Sequence, residues 1–130
     1  MDDTVIIFTN LPDRDAALKL ARELVARKLA ACVNVLAECA SVYRWKDAVE
    51  EAREVPVLIK TRASRYAEVE AAIRGRHPYE LPEIIAVPVV RGFDDYLRWV
   101  ADETSISIGL SSARSRRPAR RLSSPRCASS

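Results

Sequence analysis

The spacing of apolar positions changes several times along the chain, and each change marks an element. Thr4 to Thr9 (TVIIFT) is apolar without alternation, the pattern of a strand covered on both faces. Asn10-Leu11-Pro12-Asp13 reads as a turn, and Asp13 is placed to cap the next helix because its carboxylate accepts orphan backbone N–H groups. That helix runs to about Lys28, with Ala17, Leu20, Ala21, Leu24 and Val25 in one stripe, and Arg22, Arg27 and Lys28 toward its C-terminal end. From Cys32 to about Lys46 the period becomes two. Val33, Val35, Ala37, Cys39, Ser41, Tyr43 and Trp45 share one side, and a strand this long predicts a bend or bulge near Glu38 to Ala40. Lys46 to Arg53 reads as a charged turn and Val55 to Thr61 as the returning strand of a long hairpin. Ser64 caps a second helix with Tyr66, Val69 and Ile73 on one face, ended by Gly75 and Pro78. Ile84 to Val90 is the last strand, and Phe93 to Asp102 a short terminal helix.

The order strand–helix–strand–strand–helix–strand predicts an α+β, ferredoxin-like βαββαβ subunit with the short helix appended. Its connectivity puts the first strand at the centre and the second and fourth at the edges. Pro88 fits an edge strand, which can spare a donor. Pro56 is expected at the start of its strand, beyond the paired ladder. In this fold the helices cover one face of the sheet, yet Val5-Ile6-Ile7-Phe8 and Ile84-Ile85-Ala86-Val87 are apolar on both. The second face therefore needs a cover: self-association is the simplest, and a C-terminal segment folded back over the sheet is the other.

Charge divides the chain. The formal net charge is +3, but residues 105–130 carry six arginines (114, 116, 117, 120, 121, 126), nine serines and no carboxylate, which leaves residues 1–104 at about −3. We read 1–104 as the folded domain and 105–130 as a Ser/Arg-rich extension too polar to offset its ordering entropy. A nucleic-acid arm is the competing reading of that extension, weakened because no aromatics are interleaved for base stacking. Met1-Asp2-Asp3 lacks the basic start of a signal peptide, and no apolar run approaches the roughly 18 residues of a membrane span. Three cysteines argue against a disulfide scaffold. Cys32 and Cys39, on one strand, would stand about 20 Å apart, beyond the reach of a disulfide. The expected location is a reducing cytoplasm.

The residue inventory excludes most catalysis. There is one histidine, no nucleophile elbow, no glycine-rich phosphate loop among three glycines, and no zinc-type Cys/His spacing. We expect no enzyme. What remains is a constellation that the hairpin and the last loop bring together: Tyr43, Trp45, Lys60, His77, Tyr79 and Glu83. Aromatic walls with a few polar groups line small-ligand pockets, and the same aromatics suit a subunit interface. His77, the one side chain that titrates near neutrality unaided, reads either as a hydrogen-bonded loop residue or as a metal ligand.

Four segments carry a resemblance: Arg27-Lys28-Leu29-Ala30-Ala31-Cys32-Val33-Asn34, Ser41-Val42-Tyr43-Arg44-Trp45-Lys46, Glu54-Val55-Pro56-Val57-Leu58-Ile59-Lys60-Thr61 and His77-Pro78-Tyr79-Glu80-Leu81-Pro82-Glu83. In order and register over about residues 4–104, they resemble the divalent-cation tolerance (CutA) family. The resemblance implies a homotrimer similar to the PII signalling proteins, with the hairpins of neighbours paired edge to edge, and a role in metal-ion tolerance, copper most often. Copper-binding members of that family place a cysteine at the end of the first strand and adjacent histidines before Pro-Tyr; here Thr9 and Arg76 stand there, leaving His77. On this basis the expected metal residues are His77, Glu80 and Glu83, for Cu2+ or another divalent cation not required for folding. The expected inter-subunit cleft is Tyr43, Trp45, Lys60 and Tyr79, which in a PII-like signalling or scaffold trimer would take a small anionic effector or a partner.

Overall fold

The computed structural model of the protein describes residues 2–105. Strand β1 (Thr4–Leu11) alternates perfectly in burial, with Val5, Ile7, Thr9 and Leu11 turned inward. Helix α1 (Arg14–Ala26) starts where Asp13 Oδ1 accepts the Ala16 N–H at 2.8 Å. It stops earlier than Lys28: Lys28 adopts φ 61°, Leu29 N–H returns to Leu24 O and Lys28 N–H to Val25 O, the double bond of a Schellman stop. Arg27 and Lys28 therefore lie beyond the last turn and Arg22 before it, and Val25 is exposed rather than part of the stripe.

Strands β2 (Cys32–Val35) and β3 (Cys39–Trp45) are the two halves of the long period-two run. Both pair with β4 (Ala48–Arg62), the first from Cys32↔Lys60 to Val35↔Val57, the second from Cys39↔Glu54 to Trp45↔Ala48. Four steps on one side thus match three on the other, so one extra residue is accommodated over Leu36–Glu38, close to the expected bulge. The returning strand is far longer than expected. It begins at Ala48, and the turn is only Lys46-Asp47, both at positive φ. Two such residues make the tight turn whose twist matches a hairpin. Pro56 also sits elsewhere than expected, inside the ladder opposite Asn10. Its carbonyl accepts Leu36 N–H, so its missing donor would face the interruption between β2 and β3, where no partner strand needs it.

After a short 3-10 turn (Ala63–Arg65), helix α2 (Tyr66–Arg76) buries Val69 and Ile73. Ser64 does not cap it; its N–H and hydroxyl both donate to the Asp2 carboxylate, at 2.9 and 2.6 Å. Gly75 lies within the helix, which ends at Arg76 with His77 extended ahead of Pro78. Strand β5 (Ile85–Pro88) pairs with β1, and α3 (Asp94–Glu103) closes the described chain. The sheet order β2-β4-β1-β5 puts β1 inside and β2 and β5 at the edges, with Pro88 on an edge strand as expected.

Helices α1 and α2 pack on the odd-numbered side of β1 and β4, where Ile7, Val57 and Ile59 are fully buried. The even-numbered side, including Ile6, Phe8, Leu58 and Lys60, is the open face. There Arg62 holds the end of α3, donating to Thr104 Oγ1 at 3.0 Å and Thr104 O at 2.9 Å. Much apolar surface stays uncovered, notably Ile85, Val90 and Phe93. Beyond Val55 the sheet narrows to β3 and the first half of β4, a two-stranded arm with no third strand among the described residues. The sequence-predicted extension lies outside the described residues after Ser105.

Candidate functional site

Where the arm leaves the body of the sheet, the loop between α2 and β5 folds over it and encloses a cleft of about 760 Å³. Strand pairing aligns its floor: Ser41 lies opposite Ala52 and Tyr43 opposite Glu50, so Tyr43, Trp45, Glu50 and Glu54 share one face. Loop residues Tyr79, Glu80, Leu81, Pro82 and Glu83 make the other wall, and Asn10 closes the end nearest the body.

His77 holds the loop down. Its Nε2 bonds the Asn10 carbonyl at 2.5 Å and Nδ1 accepts the Tyr79 N–H at 3.3 Å. These partners set the tautomer: Nε2 carries the proton and Nδ1 is the acceptor. The imidazole also stacks on Tyr79, ring centroids 4.5 Å apart. Asn10 completes the latch, Nδ2 donating to Glu83 Oε1 at 2.8 Å. Burial pushes the Tyr79 phenol above its ordinary pKa, helped by the adjacent Glu54 carboxylate and its hydrogen bond, then by Tyr43 and Asp13.

The cleft therefore gathers Tyr43, Trp45, Tyr79, Glu80 and Glu83, with His77 bracing its loop. Lys60 is not among the lining residues. It pairs with Ile6 and Cys32, six residues along β4 from Glu54, on the order of 20 Å at strand rise. In its place stand two carboxylates that sequence reading missed, Glu50 and Glu54. Their signal was the hairpin register, which the two-residue turn fixes. Four carboxylates thus face one lining cation, Arg44. The cleft repels anions and suits cations.

As a ready-made metal site it does not fit. Both His77 nitrogens are engaged within the chain, and among the described residues no three His, Cys, Asp or Glu side chains converge as a ligand set. Thr9 points into the core on the helix side, its Oγ1 buried without a hydrogen-bond partner. Arg76 bonds Glu23 instead, tying the end of α2 to α1. Cys32 and Cys39 are free thiols. Among the described residues no helix is long and apolar enough to cross a membrane.

Comparison with known proteins agrees with this geometry. Residues 5–103 match the family model described as "CutA1 divalent ion tolerance protein". The chain is 44% identical over 95 residues to a protein CutA homolog of Xenopus laevis, covering 73% of this chain and 63% of that protein, so it spans less than two thirds of that relative's length. It is 36% identical over 104 residues to the divalent-cation tolerance protein CutA of Thermus thermophilus, covering 80% of this chain and 99% of that one. The crystal structure of CutA from Xylella fastidiosa superposes with a TM-score of 0.77 at 40% identity, over 79% of this chain and 99% of that chain. The sequence match across the domain and the shared fold place this chain in the CutA divalent ion tolerance family.

Proposed function

We propose that the protein acts without catalysis in tolerance of, and response to, divalent metal ions, copper first among them. It works as a cytoplasmic homotrimer that binds the ion weakly at the cleft beside His77, Glu80 and Glu83. The ion is a transient ligand, not a resident cofactor. The observation that carries this reading is the carboxylate wall: Glu50, Glu54, Glu80 and Glu83 against the single Arg44, beside the chain's only imidazole. The two-stranded arm supports the trimer. An isolated hairpin is marginal in water, and its edge and the exposed Ile85 and Val90 are surfaces that neighbours would cover.

Calorimetric titration of Cu2+ into the full chain, beside His77→Ala and Glu54→Gln, tests the reading. The expected result is saturable binding in the micromolar range that both substitutions weaken. No heat, or identical heat in all three proteins, refutes it. Light scattering tests the assembly, and a stable monomer at micromolar concentration refutes that part.

The aromatic lining favours a second reading, a PII-like signalling or scaffold trimer whose cleft takes a small effector or a partner. The carboxylates and the distance of Lys60 turn the ligand of that reading from an anion to a neutral or cationic group.

A further inference from the structure

The cleft, about 760 Å³, has the size of a small-ligand site, and its charges are spread in a way that a point ion does not fit. Glu50 and Glu54 stand on one face of β4, about 13 Å apart at strand rise. Tyr43, opposite Glu50, and Trp45 stand about 7 Å apart along β3 on the same face. Glu80, Leu81 and Pro82 line the facing loop. Glu83 is already held by Asn10, and Glu54 accepts the Tyr79 hydroxyl while keeping lone pairs for a second donor. Among the described residues no three acids converge as a ligand set. A compact ion would neutralise one carboxylate and leave the others repelling one another across an aromatic trough.

We propose, resting on the effector reading of this cleft, that it binds an aliphatic polyamine laid along β4 from Glu50 to Glu54. A polyamine is a chain of ammonium groups separated by methylenes, so successive charges meet Glu50, Glu54 and Glu80 in turn. The methylenes between them lie against Tyr43, Trp45 and Leu81, and Leu81 and Tyr43 are exposed apolar surface until something covers them. Alkylammonium groups are drawn to aromatic faces. Trp45 already holds one, since Lys46 Nζ lies 5.6 Å from its ring centroid. Each exposed ion pair is weak alone, and one chain that links several makes them act together. Neighbours in the proposed trimer would join the arm along its edges, in the plane of the two strands. The cleft instead opens on the face of the arm and is walled by the chain's own loop.

Calorimetric titration of the metal-free full chain with spermidine tests it, beside the monocation tetramethylammonium. The expected result is saturable binding of one spermidine per chain, with tetramethylammonium at least about tenfold weaker. Glu50→Gln should weaken spermidine by about threefold or more, and Glu50→Gln with Glu54→Gln by about tenfold. Glu51→Gln removes the same charge one residue along, from the opposite face of the arm, and should leave the affinity unchanged. Glu50 and Glu51 are both exposed, so neither substitution disturbs the core. Equal weakening by Glu50→Gln and Glu51→Gln would mark diffuse attraction to an acidic surface and overturns the proposal. So does tetramethylammonium binding as tightly as spermidine, an outcome that leaves a cationic effector in the cleft but not a polyamine. Binding of neither cation overturns the proposal and a cationic effector with it.

Discussion

Arg65 joins α2 to the end of α1, and its removal isolates how the two helices are held. Its side chain is 7% exposed; Nη1 reaches Glu68 at 2.7 Å and Nη2 donates to the Lys28 carbonyl at 3.2 Å, while Nε has no partner. Lys28 is the left-handed residue that stops α1, so the guanidinium sits against the negative end of that helix. Glu68 is half exposed, which limits its pairing to about 0.5 kcal/mol or less. The part-buried bond to the Lys28 carbonyl is worth about 1.5–3 kcal/mol because its donor is charged. Removing the buried methylene stem costs about 2 kcal/mol more, and relief of the unpartnered Nε returns about 1–2 kcal/mol. Arg65→Ala should therefore lose about 3 kcal/mol, and Glu68→Gln about 0.5 kcal/mol at most. Urea unfolding followed by circular dichroism, at one fixed protein concentration because assembly shifts midpoints, measures both. Equal losses would show that the local ion pair, not the bond to the Lys28 carbonyl that ties α2 to α1, carries the effect, and a loss under about 1 kcal/mol in Arg65→Ala would refute the reasoning outright.

Two titrations test the electrostatics. Hydrogen bonds from Arg76, then Arg27, hold the Glu23 carboxyl below its usual range, so its contribution is present above the unfolded pKa and is lost as pH falls through the folded one; the acid-side drop in urea midpoint between about pH 5 and 3 should shrink in Arg76→Ala, and an unchanged drop would rule the pair out. Tyr79 has the opposite sign: its folded pKa is raised, so docking of its loop persists below the unfolded value and is lost as pH rises through the folded one. Near-ultraviolet absorbance should show Tyr79 ionising late, and earlier in Glu54→Gln; a Tyr79 phenol indifferent to that substitution would contradict the arrangement.

The body of the fold was legible because burial writes itself into the period. Val5, Ile7, Val57 and Ile59 are buried at alternate positions, and Asp13 caps the helix that its chemistry predicted. The arm was not legible. Val49, Glu50, Glu51, Ala52 and Arg53 are all solvent-accessible in the single chain, so neither face imposes an apolar rhythm, and the charges read as a turn. Lys46-Asp47 lacks the Asn-Gly signature of a tight turn, which concealed how short the connection is. That one error in strand length hid Glu50 and Glu54. The loop of His77, Tyr79 and Glu83 was singled out from residue type alone, and the structure lays it against the arm.

On the proposed reading, three positions govern what kind of cation the cleft would take. Thr9 faces the core, on the far side of β1 from Asn10, so a donor there could not reach the cleft without breaking the strand's alternation. Arg76 is engaged with Glu23 and belongs to the helix packing. His77 latches the loop through both nitrogens. A soft ion that prefers thiolate and imidazole therefore finds no free donor of either kind at these positions. What the cleft offers instead is carboxylate oxygen, which suits harder divalent ions and organic cations, dispersed over two elements rather than gathered into a shell. Any ion that recruits His77 must first break its bond to Asn10 and lift the Tyr79 loop, and that conformational cost is subtracted from its affinity. On the proposed reading, a site built this way would respond to an excess of ion and ignore a trace, because only a high concentration would offset the closed loop.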